Sequence, residues 1–292
     1  MTGAAAAAAL TDGAGMVAVR AGDVVGFLGA RPDDVESAHF GLGVDRVTDL
    51  IVEGSHDRGD LGTLLWRALV EQRRGAGRHL LIANIDGDDM AGLNASLRVG
   101  STYCESAVAY VCDTELGPSN LHQPHSLEFR VSEPKDLCLP PDALDVIRER
   151  IPASRWYDHF HADPRLPDAE CDALYEMWFD RAIAGEWADL VVLALRDDSI
   201  VGVTTWKHWT HFDEEHGASM LAQPIGVAVP NGYGMIRGMF PLLHALRPFN
   251  ARFWDMSTSV RNREVNATLP RMFGMSMARS THVLHLWTDE LR

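Results

Sequence analysis

Twice along this chain a helical stretch is closed by a glycine and followed by an alternating strand. Ala91 to Gly100 leads into Tyr103 to Val111, and Val265 to Gly274 leads into Thr281 to Trp287. The two copies share a pattern and not residue identities. A helix that leads into a strand must lay its apolar stripe against a sheet, so the repeat restricts each half to an α/β layer. The elements upstream fit. Met16 to Arg20, Asp23 to Leu28 and Gly41 to Leu50 read as extended. Gly62 to Arg74 carries Leu64, Leu65, Ala68 and Leu69 on one stripe, with Arg67, Glu71 and Arg74 off it, and His79 to Ile85 is a buried-looking strand. The first half thus runs strand, helix, strand, helix, strand.

Asp113 to His125 breaks the pattern with Gly117, Pro118, Ser119, Asn120 and Pro124. The division expected is a disordered tail over 1–15, a first domain over 16–113, a linker over 114–125 and a second domain over 126–292. The second half reads Leu127 to Val131 as a strand, and Pro141 to Arg150 and Asp168 to Ala184 as helices. Leu190 to Leu195 and Ser199 to Trp206 form a hairpin turned at Asp197 and Asp198. A strand from Ile225 to Val229, a helix from Ile236 to Leu246, a strand from Arg252 to Ser257, a helix from Val265 to Phe273 and a last strand follow. A chain of 292 residues suits two domains of about 100–200 residues each.

Charge narrows the function. The net charge of -15 argues against a general nucleic-acid binder, which carries a basic face. Lys135 and Lys207 are the only lysines. Cys104, Cys112, Cys138 and Cys171 form no CxxC pair and match no zinc spacing, so reduced thiols and no metal are expected. The apolar start lacks a positive n-region, and no stretch is long and apolar enough for a membrane helix; a cytoplasmic protein is expected.

The segment Val227 to Gly238 carries chemistry: a strand, a glycine loop and a helix start. Gly232 and Gly234 can adopt positive φ and turn backbone N–H groups inward, and the next helix aims its first N–H groups at the same place. Asn231, Gly232, Tyr233, Gly234, Met235, Ile236 and Arg237 are therefore candidates for holding a pyrophosphate, Arg237 by a charge-assisted contact. A plain strand-to-helix turn is the competing reading.

This order of elements resembles the GNAT acyltransferases, as two tandem GNAT-like domains, each a mixed central sheet flanked by helices. The second half is similar to the TDP-fucosamine acetyltransferase-like branch, which acylates amino groups of nucleotide sugars. The residues that carry the likeness are Arg150 to Trp156, His161-Ala-Asp163, Ala173 to Trp178, Ile200 to Thr204, Asn231 to Ile236, Asn262 to Gly274 and His282 to Trp287, with His39 to Val44 in the first half. The resemblance implies a sheet that splays after the Ile225 strand with acetyl-CoA or another acyl-CoA in the gap, contacts from Asn262 and Asn266 to the donor, and a degenerate first half. The sequence departs from the family pattern at Asn231, at Ile236 and at Pro270, which stands where many members have a tyrosine acid.

Acyl transfer to an amine needs a polarised carbonyl, for which the backbone N–H groups of the Ile225 to Val229 strand, Val227 and Val229 among them, are candidates, and it needs a base. His211 and His216 are candidates because histidine titrates near neutrality, and Asp255 is another because the resemblance puts its strand beside the cleft. A thiolate of pKa near 8.5 leaves without much help from an acid. Arg155, Trp156, Tyr157, His159, Tyr175, Trp206 and Lys207 are candidates for the acceptor side, with core packing as the alternative for the aromatics. Asn262 and Asn266 are equally readable as caps. Three functions remain open: acyl transfer from acyl-CoA to an amine of a small metabolite, such as a nucleotide sugar or natural-product intermediate; transfer from an aminoacyl-tRNA, for which Arg67, Arg73, Arg74 and Arg78 offer a local basic patch; and a noncatalytic binding subunit of the same fold.

Overall fold

The computed structural model describes residues 15–53, 58–75, 77, 79–115, 126–140, 142–153, 157–232 and 234–289. The chain forms two compact units that are not consecutive. The first contains 1–107, 158–165 and 280–292, and the second 108–157 and 166–279. This differs from the single cut expected at 114–125, because each unit takes a strand segment from the other half of the sequence. Residues 1–14 and 116–125 lie outside the described residues, and Gly15, assigned to the tail by sequence, opens the first strand.

In the first unit, β1 (Gly15–Arg20), β2 (Asp23–Pro32), β3 (Gly43–Val52) and β4 (His79–Asp86) lie side by side in that order. The unit is completed by the C-terminal part of β12 (Ser276–Trp287) beside β4, and the N-terminal part of β5 (Thr102–Asp113) beyond it. β12 runs antiparallel to β4, from Thr281 against Asp86 to Trp287 against Leu80. Helices α2 (Arg58–Arg74) and α3 (Met90–Arg98) bury Leu65, Trp66, Leu69, Val70 and Ala95 against Leu28, Val47, Leu81, Ala83 and Leu286. The short helix α1 (Asp34–Phe40) is absent from the sequence reading. Its signals are local: the Asp33 side chain accepts the Glu36 N–H at 3.0 Å, and Gly41 ends the helix at φ 62°.

β3 and β4 are parallel from Gly43/His79 to Val47/Ala83 and pair no further. The register of β3 on β2 slips at the same point, passing from Val47/Ala30 to Asp49/Gly29 and leaving Thr48 unmatched. A bulge bends its strand, so Thr48 turns the rest of β3 away from β4.

In the second unit the C-terminal part of β5 is followed by β11 (Phe253–Ser259), β9 (Met220–Ala222), β8 (Ser199–His208), β7 (Leu190–Arg196) and β6 (Glu128–Ser132). Short β10 (Gly226–Ala228) pairs with β8 alone. The predicted helix over Pro141 to Arg150 is two short turns, α4 (Asp145–Arg148) and α5 (Arg150–Ala153), ahead of α6 (Asp168–Ile183). The segment from His211 to His216, expected as a loop, is helix α7 (Thr210–His216). Helices α8 (Met235–Leu246) and α9 (Arg263–Phe273) pack Phe240 and Phe273, stacked at 4.2 Å, with Met239, Leu243 and Leu269 on Trp206, Trp254 and Met256. Ile147, Ile151, Phe179 and Ala182 cover the opposite face through Val191, Leu193, Val203 and Val227. At about 25 cal/mol per Å² of buried apolar area, these two layers supply most of what holds the unit together.

Candidate active site

A parting of parallel strands builds the site in the second unit. β9 and β11 pair from Met220/Phe253 to Ala222/Asp255, and the Gln223 N–H donates to the Asp255 carbonyl at 3.0 Å. Gln223-Pro224-Ile225 then interrupts the strand. Pro224 has no N–H to continue the ladder. β10, which follows, keeps β8 as its partner while β11 runs on to Ser259.

The register fixes which backbone groups face the gap. Residues 225 and 229 bond to β8, through Thr205 N–H to the Ile225 carbonyl and Val229 N–H to the Val201 carbonyl, both at 3.0 Å. With Val227 opposite Val203, antiparallel alternation puts Val227 in the same set. Gly226 and Ala228 therefore turn their N–H and C=O groups toward the side that β11 has left. The expectation that Val227 and Val229 offer their amides is corrected: these serve the ladder, and the Val227 side chain is core. The signal was present in the sequence as the period of a strand counted from the Pro224 break.

The glycine loop sits flush on β8. A Cβ on Gly232 would lie 2.0 Å from the Val201 carbonyl oxygen, so only glycine fits. Gly234 has φ 87° with open space around it, and it starts α8 without a side-chain cap. The first turn of α8 thus presents backbone N–H groups next to the gap. Arg237 on that turn is exposed. Met235 is buried, and Ile236 packs into the core, so their side chains turn inward. Asn231 lies in the turn Pro230–Gly232, and Tyr233 lies outside the described residues.

Asp255 stands where the strands part. Its neighbours Trp254 and Met256 face α8 and α9, so strand alternation aims Asp255 at the other face. Lys207 pairs with Ala222, which pairs with Asp255, so both side chains share that face. Lys207 Nζ is held by Asp189 Oδ1 at 2.9 Å. Burial pushes the Asp255 carboxyl above its ordinary value, with the Arg279 charge pulling the other way.

Several candidates do not join this site. His211 and His216 point into solvent with 94% and 56% of their side chains exposed, on a helix that enters β9 at its paired end. Trp206 is fully buried and donates to Thr204 Oγ1. Tyr175 packs in α6, edge-on to Trp178. His159 belongs to the first unit. Asn262 caps α9. The Asn266 amide is saturated: it donates to the Ser259 and Asn262 carbonyls and accepts from Tyr110 Oη at 2.9 Å. Its role is to tie α9 to the end of β11. Tyr157 is exposed, under the Arg261 guanidinium at 5.1 Å, beside the loop that leaves β11. Arg155 and Trp156 lie outside the described residues.

Two of the four arginines of the basic patch are paired with carboxylates, and Arg67 is exposed. Arg73 is bound by Asp45 and Arg74 by Glu71, while Arg78 lies outside the described residues.

Solved structures share the fold of this chain. A tandem GNAT protein from the clavulanic acid biosynthesis pathway matches 94% of this chain and 84% of its own, with TM-score 0.54 and 15% identity. A GCN5-related N-acetyltransferase from Sphaerobacter thermophilus matches 91% of this chain and 78% of its own, with TM-score 0.56 and 12% identity. The glucosamine N-acetyltransferase region of a fungal multi-domain beta-N-acetylglucosaminidase matches 93% of this chain and 33% of its own, with TM-score 0.57 and 14% identity. This is a tandem GNAT fold. No family model matches the sequence, and the search of curated proteins gives no match. Among the described residues no helix is long and apolar enough to cross a membrane.

Proposed function

We propose that the chain is an N-acyltransferase that takes an acyl group from an acyl-CoA, acetyl-CoA first, in the gap between β10 and β11, and delivers it to a primary amine of a small metabolite. The observation that carries the reading is the parting beyond Gln223 and Asp255, where the amides of Gly226 and Ala228 lose a strand partner and α8 opens without a cap. Two outward amides at a strand edge suit a thioester carbonyl, whose oxygen gains charge as the amine nitrogen attacks. The uncapped N-terminus of α8 suits the donor's pyrophosphate. Asp255, on the opposite face, takes the proton that the amine must lose. Its raised pKa brings it nearer to that task than an ordinary carboxylate. The thiolate leaves on its own acidity, consistent with a proline at position 270.

Calorimetry with acetyl-CoA tests the reading, with deacylated tRNA titrated at the same salt. The expected result is micromolar affinity at one site per chain for acetyl-CoA and none for tRNA. Absence of acetyl-CoA binding would sink the proposal, and salt-sensitive tRNA binding in its place would move the donor to an aminoacyl-tRNA.

A further inference from the structure

Three side chains with metal-binding atoms converge inside the first unit, each from a different stretch of the chain. Cys104 comes from β5, Asp163 from the segment 158–165 and His285 from β12. All three are buried, His285 completely and Asp163 to 3% exposure. The thiol sulfur, a carboxylate oxygen and an imidazole nitrogen lie within 4.8 Å of one another. His285 Nδ1 donates to Asp163 Oδ2 at 2.7 Å, and Trp287 Nε1 donates to the same oxygen at 2.9 Å. The Arg165 N–H occupies Oδ1 at 3.0 Å. On its far side, His285 Nε2 faces His159 Nδ1 at 2.8 Å.

The cluster carries one buried negative charge. Burial pushes the Asp163 carboxyl up, but the hydrogen bonds from His285, the Arg165 N–H and Trp287 outweigh it and keep it ionised. Burial holds His285 below its ordinary value although Asp163 pulls it up, so the imidazole is neutral. The Arg165 guanidinium turns to both oxygens of Asp289, at 2.9 and 2.7 Å. Buried charges are paired or coordinate metals. A divalent ion on one carboxylate, one thiolate and one neutral imidazole gives a centre with no net charge. Sulfur and nitrogen in the donor set disfavour magnesium and calcium, which take oxygen ligands, and suit zinc. Zinc bonds of about 2.3 Å to sulfur and about 2.0–2.2 Å to nitrogen and oxygen set ligand atoms about 3.3–3.6 Å apart. The Asp163–His285 contact opens from 2.7 Å and the sulfur closes from within 4.8 Å, so shifts of about 1 Å assemble the site. We propose that Cys104 Sγ, Asp163 and His285 Nδ1 form a zinc site that ties β5, the 158–165 segment and β12 together.

Binding breaks the Cys104 S–H bond. The proton leaves to solvent, and the sulfur electron pair bonds to zinc. Burial pushes the free thiol up to about 12, so the ion itself makes the thiolate. At His285 the ion takes the place of the proton between Nδ1 and Asp163 Oδ2. The imidazole stays neutral and carries its one proton on Nε2. That Nε2–H donates to His159 Nδ1, and His159 in turn carries its proton on Nε2. A ligating imidazole that donates its other N–H is fixed in tautomer and orientation, and Trp287 and Arg165 do the same for the carboxylate. One proton is released for each ion, so affinity should rise about tenfold per pH unit. The ligands come from separate stretches of the chain, so no sequence spacing announces them.

Cobalt(II) titrated into the full chain after dialysis against EDTA tests the site, followed by zinc. Cobalt should raise the near-ultraviolet charge-transfer band of a thiolate ligand, saturating at one ion per chain, and zinc should displace it. Cys138 is exposed, so Cys138→Ser is the control and should leave the band unchanged. Cys104→Ser should remove the band, and Asp163→Asn should weaken cobalt affinity at least tenfold. Should Cys104→Ser fail to fold, ¹⁵N NMR of the unsubstituted chain decides, because zinc should move the His159 proton from Nδ1 to Nε2. No charge-transfer band at excess cobalt would overturn the site. So would a band kept in Cys104→Ser and lost in Cys138→Ser, or a His159 tautomer indifferent to zinc. None of these readouts involves acetyl-CoA or the second unit.

Discussion

The two gaps between parallel strands begin alike and end differently. In each, parallel strands pair for a few residues and part at an irregularity, Thr48 in β3 and Gln223 to Ile225 between β9 and β10. In the second unit the gap leads to a glycine loop flush on its neighbour and an uncapped helix. In the first, the opening of α2 carries Arg58. Its guanidinium donates to the Leu50 carbonyl at 2.7 Å and to both Asp89 oxygens at 3.0 and 2.7 Å, joining β3 to the start of α3. The cavity left between Thr48 to Leu50 and Asn84 to Asp86 is about 160 Å³, below the roughly 300 Å³ at which ligand pockets begin. A fold thus keeps its splay when the gap is strapped, because the splay is set by the bulge and the packing, whereas in the proposed function donor binding depends on what stands at the helix entry.

The comparison is broken most directly at Gly232. Gly232→Ala drives a methyl into the Val201 carbonyl, so the loop must lift from β8 and acetyl-CoA binding should fall by at least about a hundredfold, or about 2.7 kcal/mol. Gly234→Ala meets no atom and pays only for its left-handed backbone, about 1–2 kcal/mol of stability. Calorimetry and thermal unfolding on both variants separate the two. Equal losses of donor affinity would remove the close approach of the loop from the explanation.

The base is the next point of difference. Asp255→Asn should lower kcat by about 10²–10⁴ while leaving acetyl-CoA affinity unchanged. Because burial raises the Asp255 pKa, the working ionised form appears as pH rises through that raised value. The acid limb of kcat/KM should therefore lie above the usual carboxylate range, near 3.9, and vanish in the variant. A limb that survives Asp255→Asn would assign the base elsewhere.

Much of this was legible in the sequence. Alternation gave most strands their place, and the glycine-bearing turn after Val229 pointed to the gap that now carries the proposal. What escaped was long-range. Sequence does not show that Thr281 to Trp287 pairs with β4 or that His285 meets Asp163 and His159, because those contacts span more than a hundred residues of separation. The histidines of α7 looked chemical by composition, yet an exposed helix without a buried residue holds them in water. Asn266 looked like a donor contact because its spacing in α9 cannot reveal that Tyr110 already occupies its oxygen. Ile236 departs from the family pattern in sequence, and only the fold shows that its side chain packs against the core.

The smallest effect sharpens the comparison from the first unit. The Arg58 and Asp89 side chains are 37% and 22% exposed, so water screens their attraction, and a double-mutant cycle of Arg58→Ala and Asp89→Ala should give a coupling of about 0.5–1 kcal/mol in denaturant unfolding. Asp89 also caps α3 by accepting the Gly92 N–H, so Asp89→Ala alone should cost about 1 kcal/mol more than the ion pair accounts for. Neither variant should change the acetyl-CoA stoichiometry from one per chain, since removing one side chain does not supply a glycine loop or an uncapped helix entry. A second donor site in Arg58→Ala would show instead that the strap alone distinguishes the two gaps, and that the first unit is a closed donor site, not one whose binding elements are lost.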